Sequence, residues 1–126
     1  MRCFKTPSFD KSLSKSEISD ADLKTAMNQV AQGLIEAHLG GELIKKRVAR
    51  PNAGKSGSYR TIIAFRRDDR AVFLHLFAKN EKANINKQEL EALKALASHY
   101  LKMNPSDIDT AVEQRALMEI HHVKNT

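Results

Sequence analysis

Two short apolar runs constrain this chain most: Tyr59–Arg66 (YRTIIAFR) and Ala71–Ala78 (AVFLHLFA), joined by the polar tetrapeptide Arg67-Asp68-Asp69-Arg70. Each is eight residues long and rich in β-branched, aromatic and leucine side chains, the composition and length of a strand. Runs this close in sequence predict an antiparallel hairpin. Alternation puts Tyr59, Thr61, Ile63 and Phe65 on one face and Arg60, Ile62, Ala64 and Arg66 on the other. In the second run Val72, Leu74, Leu76 and Ala78 oppose Phe73, His75, Phe77 and Lys79. Both faces of that run are largely apolar, which predicts a central strand covered on each side. The cations collect at the strand ends.

The remaining segments arrange themselves around this hairpin. Arg2–Thr6 reads as a short strand, stopped by Pro7 and suited to a sheet edge. A helical turn is expected over Phe9–Ser14. Ser19 and Asp22 have the spacing of a capping box, and Leu23, Ala26, Met27, Val30, Leu34 and Ile35 form an apolar stripe of helical period. That segment is expected to run to Gly40-Gly41. Leu43–Ala49 alternates as a strand, and Pro51–Gly54 leads into the hairpin. Asn86 and Glu89 predict a second capped helix, with Leu90, Leu93, Leu96, Ala97, Tyr100 and Leu101 on its buried face and Pro105 at its end. A short helix around Ile108, Ala111 and Val112 and a last strand over Leu117–Val123 complete the expected order.

These segments predict an α/β (α+β) fold: an antiparallel-dominated sheet of about four strands with helices packed on one face. A single domain over 1–126 is expected, with its core in 1–104 and a helix and strand in 105–126. One cysteine, Cys3, excludes an internal disulfide. No N-terminal stretch resembles a signal peptide, and no run approaches the roughly 20 apolar residues of a membrane span. A cytoplasmic protein is the default expectation.

The formal charge is +6, and its distribution says more than its size. Between Leu43 and Arg67 stand eight basic residues (Lys45, Lys46, Arg47, Arg50, Lys55, Arg60, Arg66 and Arg67) and no acid. Such a field suits a polyanion, because lysine and arginine displace counterions from phosphates; a solvated basic surface is the plainer alternative. Ala49–Ser56 (ARPNAGKS) nearly spells a phosphate-binding P-loop, but alanine replaces its first glycine and a strand, not a helix, follows. The loop is better suited to holding RNA phosphate through Lys55, or to a plain connection whose glycines permit positive φ.

Arg60 lies just inside a strand, where a half-buried guanidinium needs anionic company. A carboxylate of the chain and a scissile phosphate gripped by the planar fork are both open readings. A tight hairpin brings Lys79 beside Tyr59 and Arg60, gathering Arg60, Lys55, Lys79 and Lys82, with Lys45 or Arg47 from the preceding strand. Crowded cations lower one another's proton affinity, so a lysine here could serve as general base or acid. His75 reads as a packed core histidine between Phe73 and Phe77. No ligand-type Cys/His spacing supports a metal site, and no acids converge on the basic cluster.

The segment GKSGSYRTIIAFRRDDRAVFLHLFAKNEKANI, together with upstream ISDADLKTAMNQVAQGLIEAHLGGELIKKRVARP, resembles the RelE/HigB-type toxins of bacterial type II toxin–antitoxin pairs, in the RelE/ParE superfamily. GKSG-x-YRT and FAKNEKANI carry the resemblance jointly over at least residues 1–101. It implies a RelE-like domain that cleaves messenger RNA on the ribosome, needs no cofactor and is silenced by a cognate antitoxin. On that reading Arg60 and Lys55 stabilise charge, Lys79 and Lys82 transfer protons, and Lys45, Lys46, Arg47, Arg50, Tyr59 and Arg66 bind RNA, Tyr59 by stacking. Asn80 departs from the family pattern, which places an arginine there. Some HigB-like toxins use a late histidine, which makes His121 and His122 further candidates. ParE-like relatives instead poison DNA gyrase, and an inactive RNA-binding relative is the third alternative.

Overall fold

The computed structural model describes residues 1–49, 58–78 and 85–121. The chain runs β1 (Arg2–Lys5), α1 (Pro7–Ser14), α2 (Asp20–Ala31), β2 (Ala37–Gly40), β3 (Leu43–Val48), β4 (Tyr59–Arg66), β5 (Arg70–Ala78), α3 (Lys87–Lys102), α4 (Pro105–Glu113) and β6 (Met118–Ile120). The strands form one six-stranded sheet in the order β2-β3-β4-β5-β1-β6. Every neighbouring pair is antiparallel except β1 with β5.

The mixed α/β class holds, and the expected sheet of about four antiparallel strands is roughly right but not exact, since six strands form it. The expectation of one covered face does not hold. Helices lie on both faces. Phe9, Leu13, Leu23, Ala26, Met27 and Val30 of α1 and α2 pack with Ile44, Ile63 and Phe73. Ala97, Leu101 and Ile108 of α3 and α4 pack with Leu43, Ile62, Ala64 and Val72 on the other side. The apolar character of both faces of β5 already required two covers. β6 falls inside the last strand expected over Leu117–Val123, whereas β2, four residues long, is an added strand too short for an alternation pattern to register.

β1 is not at an edge. It lies between β5 and β6, with Cys3 opposite Ala71 on one side and Ile120 on the other. Pro7 does not disturb the sheet because it serves as the first residue of α1, where Thr6 Oγ1 accepts from the Phe9 N–H at 3.1 Å. In α2, the Asp22 carboxylate accepts from the Ser19 N–H at 2.8 Å, as the capping spacing predicts. That helix ends at Ala31, however, and Gly33 with φ +88° turns the chain away. Leu34, expected in the buried stripe, is 54% exposed. α3 carries its predicted box, with Asn86 Oδ1 accepting from the Glu89 N–H at 2.8 Å.

One irregularity re-aims the end of the hairpin. Ile63 pairs with Phe73 and Ile62 with His75, so Leu74 is an extra residue in β5. Beyond it the alternation reverses: Leu76 joins Phe73 on the α1–α2 face, and Phe77 joins Val72 on the α3–α4 face. The expected face sharing of Val72 with Leu76, and of Phe73 with Phe77, therefore fails. A single inserted residue flips everything after it.

Candidate functional site

The cations of the basic run divide among three places. The first is the open end of β3, β4 and β5, on the α3–α4 face. Arg47 of β3 stands directly opposite Arg60 of β4, and Arg60 opposite Phe77 of β5. Lys45 is opposite Ile62, which faces His75. Lys45, Arg47 and Arg60 therefore share one face, as side chains two apart on a strand must. Like charges directly opposite destabilise a sheet by up to about 1 kcal/mol. Here an acid offsets the repulsion.

That acid is Glu36, just before β2. Its Oε1 and Oε2 lie 2.9 and 3.0 Å from Arg60 Nε, and the pair is only partly exposed, at 15% for Arg60 and 33% for Glu36. Arg60 also donates through a terminal nitrogen to Ser58 Oγ at 3.1 Å. Of the two open readings for Arg60, a carboxylate of the chain is present. Glu36 is a single acid beside the cluster and not the convergent pair of carboxylates whose absence the sequence predicts. In the sequence Glu36 is an acid flanking a glycine loop, and without β2 nothing there carries it to β4. Arg47 is exposed and, among the described residues, has no acceptor.

The second place is the opposite face of the same strand ends. Lys46, expected with the RNA-binding set, points there with Ile44 and Val48 and is 7% exposed. Its Nζ donates to the Leu34 carbonyl at 2.9 Å. Burial pushes the Lys46 ammonium below the usual lysine range, Glu36 opposes this, and Arg47 adds to it. Tyr59 likewise packs against the α1–α2 core, and its hydroxyl accepts from the Glu17 N–H at 3.3 Å. Neither Lys46 nor Tyr59 reaches the face of Arg60, since each is an odd number of residues from a group that does.

The third place is the hairpin turn, at the far end of the sheet. Arg66 donates to the Leu101 carbonyl at 2.9 Å and pairs with Glu42 at 2.8 Å. Arg70, 7% exposed, donates to the carbonyls of Tyr100 and Met103 at 2.8 and 2.7 Å. Arg67 reaches the Ala31 carbonyl at 3.3 Å. These arginines satisfy the orphan carbonyls at the C-termini of α3 and α2. Arg66, expected with the RNA-binding set, is thus paired within the chain at the end of the sheet away from Arg60.

His121 follows Ile120, which is level with Cys3 and hence with Ala71 at the turn end. It lies at the opposite end of the sheet from Arg60, on the far edge strand, so the two do not meet. Arg50, Lys55, Lys79, Lys82 and His122 lie outside the described residues. Among the described residues no group of three or more His, Cys, Asp or Glu side chains could hold a metal ion. No helix among them is long and apolar enough to cross a membrane.

The fold and site define a small, basic, two-faced α/β domain with Arg47 and Arg60 aligned at one end of a mixed sheet. The family is more definite. The chain belongs to the RelE toxins: the family model described as the RelE toxin of the RelE / RelB toxin–antitoxin system matches residues 1–120. It is thus the toxin half of such a pair, whose members generally inhibit translation, and membership implies a cognate antitoxin. No curated protein matches the chain significantly.

Proposed function

We propose that this toxin is a ribosome-dependent messenger RNA endonuclease acting without a metal. The observation that supports this best is the alignment of Arg47 and Arg60 across β3 and β4, with Lys45 on the same face. Two guanidinium forks side by side suit one phosphodiester, whose charge grows as a fifth oxygen adds to phosphorus. The ribose 2′-oxygen attacks the adjacent phosphorus and the bond to the 5′-oxygen breaks. The proton lost from the 2′-hydroxyl goes to a general base, and another is delivered to the departing 5′-oxygen. The products are a 2′,3′-cyclic phosphate and a free 5′-hydroxyl. Arg60 and Lys55 are assigned to charge stabilisation, Lys79 and Lys82 to proton transfer, and Lys45 and Arg47 to backbone binding. Glu36 orients the Arg60 fork.

The test is induced expression of the wild type and of Arg60→Ala and Lys79→Ala. Each substitution is expected to relieve growth inhibition while the protein stays folded, with cleavage reduced about a hundredfold or more. Codon-register cuts in messenger RNA support the reading. Full toxicity in both variants, or DNA breaks with an SOS response in place of messenger RNA cuts, overturns it.

A further inference from the structure

A second concavity lies on the α1–α2 face, between α2 and the strands β1 and β6. It has a volume of about 570 Å³ and includes Met1, Cys3, Lys24, Asn28, Asp68 and Ile120 in its lining. Among the described residues, Lys24 Nζ is the one buried side-chain nitrogen or oxygen with no hydrogen-bond partner. Asp68 lines the same cleft from the β4–β5 turn, is exposed, and does not bond to it. Lys24 is itself half-buried, and an ammonium with no acceptor among the described residues is open to one from outside the chain. The unmet need is for one acceptor, best a charged one.

The surroundings point to a protein side chain as the source. Met1, 47% exposed, offers apolar contact in the cleft, and Ile120 a second apolar surface. A nucleic acid backbone calls for several cations in a row, whereas Lys24 is the only lysine or arginine in this lining among the described residues. β6 is the outermost strand of the sheet, and among the described residues no strand pairs with its outer edge, so an extended segment can be added beside the cleft. A chain of formal charge +6 also favours an acidic partner on electrostatic grounds.

We propose that this cleft anchors the cognate antitoxin: an aspartate or glutamate side chain of the antitoxin enters beside Lys24 and pairs with it. Apolar residues next to that acid pack on Met1 and Ile120. The proposal rests on family membership, which supplies the partner, and not on the nuclease reading. Its position on the face opposite Arg60 makes the anchor separate from the cation-bearing strand ends.

Calorimetric titration of the full toxin with its antitoxin tests this. Lys24→Met keeps the aliphatic stem and removes the charge. The free variant is expected to melt no lower than the wild type, while antitoxin affinity falls about thirtyfold or more. Lys24→Glu weakens it further, and changing the pairing antitoxin acid to lysine restores it. In the wild-type complex a carbodiimide should join Lys24 to an antitoxin carboxylate, identified by mass spectrometry. Affinity of Lys24→Met within threefold of wild type overturns the proposal. So does a Lys24→Met chain that fails to fold, which would mean the charge is satisfied within the toxin. So does loss of affinity for single-stranded RNA in place of antitoxin. Because binding is the readout, a toxin that cuts no messenger RNA leaves this result interpretable.

Discussion

Arg60 Nε and the Glu36 carboxylate lie 2.9 Å apart although the whole of β3 separates their strands. Arg47 is the residue directly opposite Arg60. One carboxylate thereby holds one of two adjacent guanidiniums in place, while the other has no acceptor among the described residues.

Removing that carboxylate separates binding from positioning. Glu36→Ala frees one more positive charge, so affinity for RNA is expected to rise at low salt and the salt dependence to steepen by about one phosphate contact. Cleavage is expected to fall about tenfold, because Arg60 loses its fixed orientation. Stability should drop by about 1 kcal/mol as the two arginines repel. Salt-dependent RNA binding and single-turnover cleavage measure the first two. Cleavage rising in step with affinity would mean that Glu36 merely competes with substrate.

The arginines at the hairpin turn should behave as parts of the scaffold. Arg70→Ala strips two carbonyls at the end of α3 of a charged donor and is expected to cost about 2 to 3 kcal/mol in denaturant unfolding. Arg66→Ala, more exposed, should cost about 1 kcal/mol. Neither should reduce cleavage per folded molecule. A folded Arg66→Ala variant without activity would return that residue to the site.

Lys46 and Arg47 are neighbours in sequence with opposite surroundings, and substitution should expose the difference. Arg47→Ala is expected to lower the salt slope of RNA binding by about one. Lys46→Met should leave that slope unchanged and alter stability by less than about 1 kcal/mol, since a single hydrogen bond to Leu34 is lost as a buried charge is removed. Equal slopes for the two variants would contradict the placement of Lys46 on the α2 face.

Acid should loosen the join between β1 and β6. The Glu119 carboxyl is held below the usual carboxylate range, chiefly by its hydrogen bonds from Arg2 at 2.9 and 3.0 Å. Its folded-state proton affinity is lower than in the unfolded chain, so it contributes stability above the usual carboxylate range. That contribution is lost as pH falls through the depressed folded value. Because Arg2 is 42% exposed, about 1 kcal/mol is expected. Glu119→Gln should lose it at neutral pH and show a shallower decline between about pH 5 and 3. Parallel acid-unfolding curves for the variant and wild type would remove Glu119 as the cause.

Local chemistry was legible wherever its partner lies a few residues away. The hairpin, its polar turn and the capping pairs Ser19–Asp22 and Asn86–Glu89 follow from spacing alone. The second cover of the sheet was legible too, in the apolar character of both faces of β5, and the expectation of one helical face overlooked it. β6 was legible as the last apolar run, but β2 left no trace, because so few residues gain their strand conformation from neighbours already in the sheet.

By itself the sequence determined the family, the central hairpin, the helices that flank it and the basic stretch from Leu43 to Arg67. It could not divide that stretch. Strand alternation sent Lys46 and Tyr59 away from Arg60, and sheet closure carried Arg66 to the end of α3. A short unannounced strand delivered Glu36 to Arg60, and tertiary packing left the Lys24 ammonium buried with no acceptor among the described residues. Each outcome depends on which distant backbone passes within about 3 Å of a charged group, the reach of a hydrogen bond. That distance is set by packing of the whole sheet and its two helical layers, and no local pattern of residues records it.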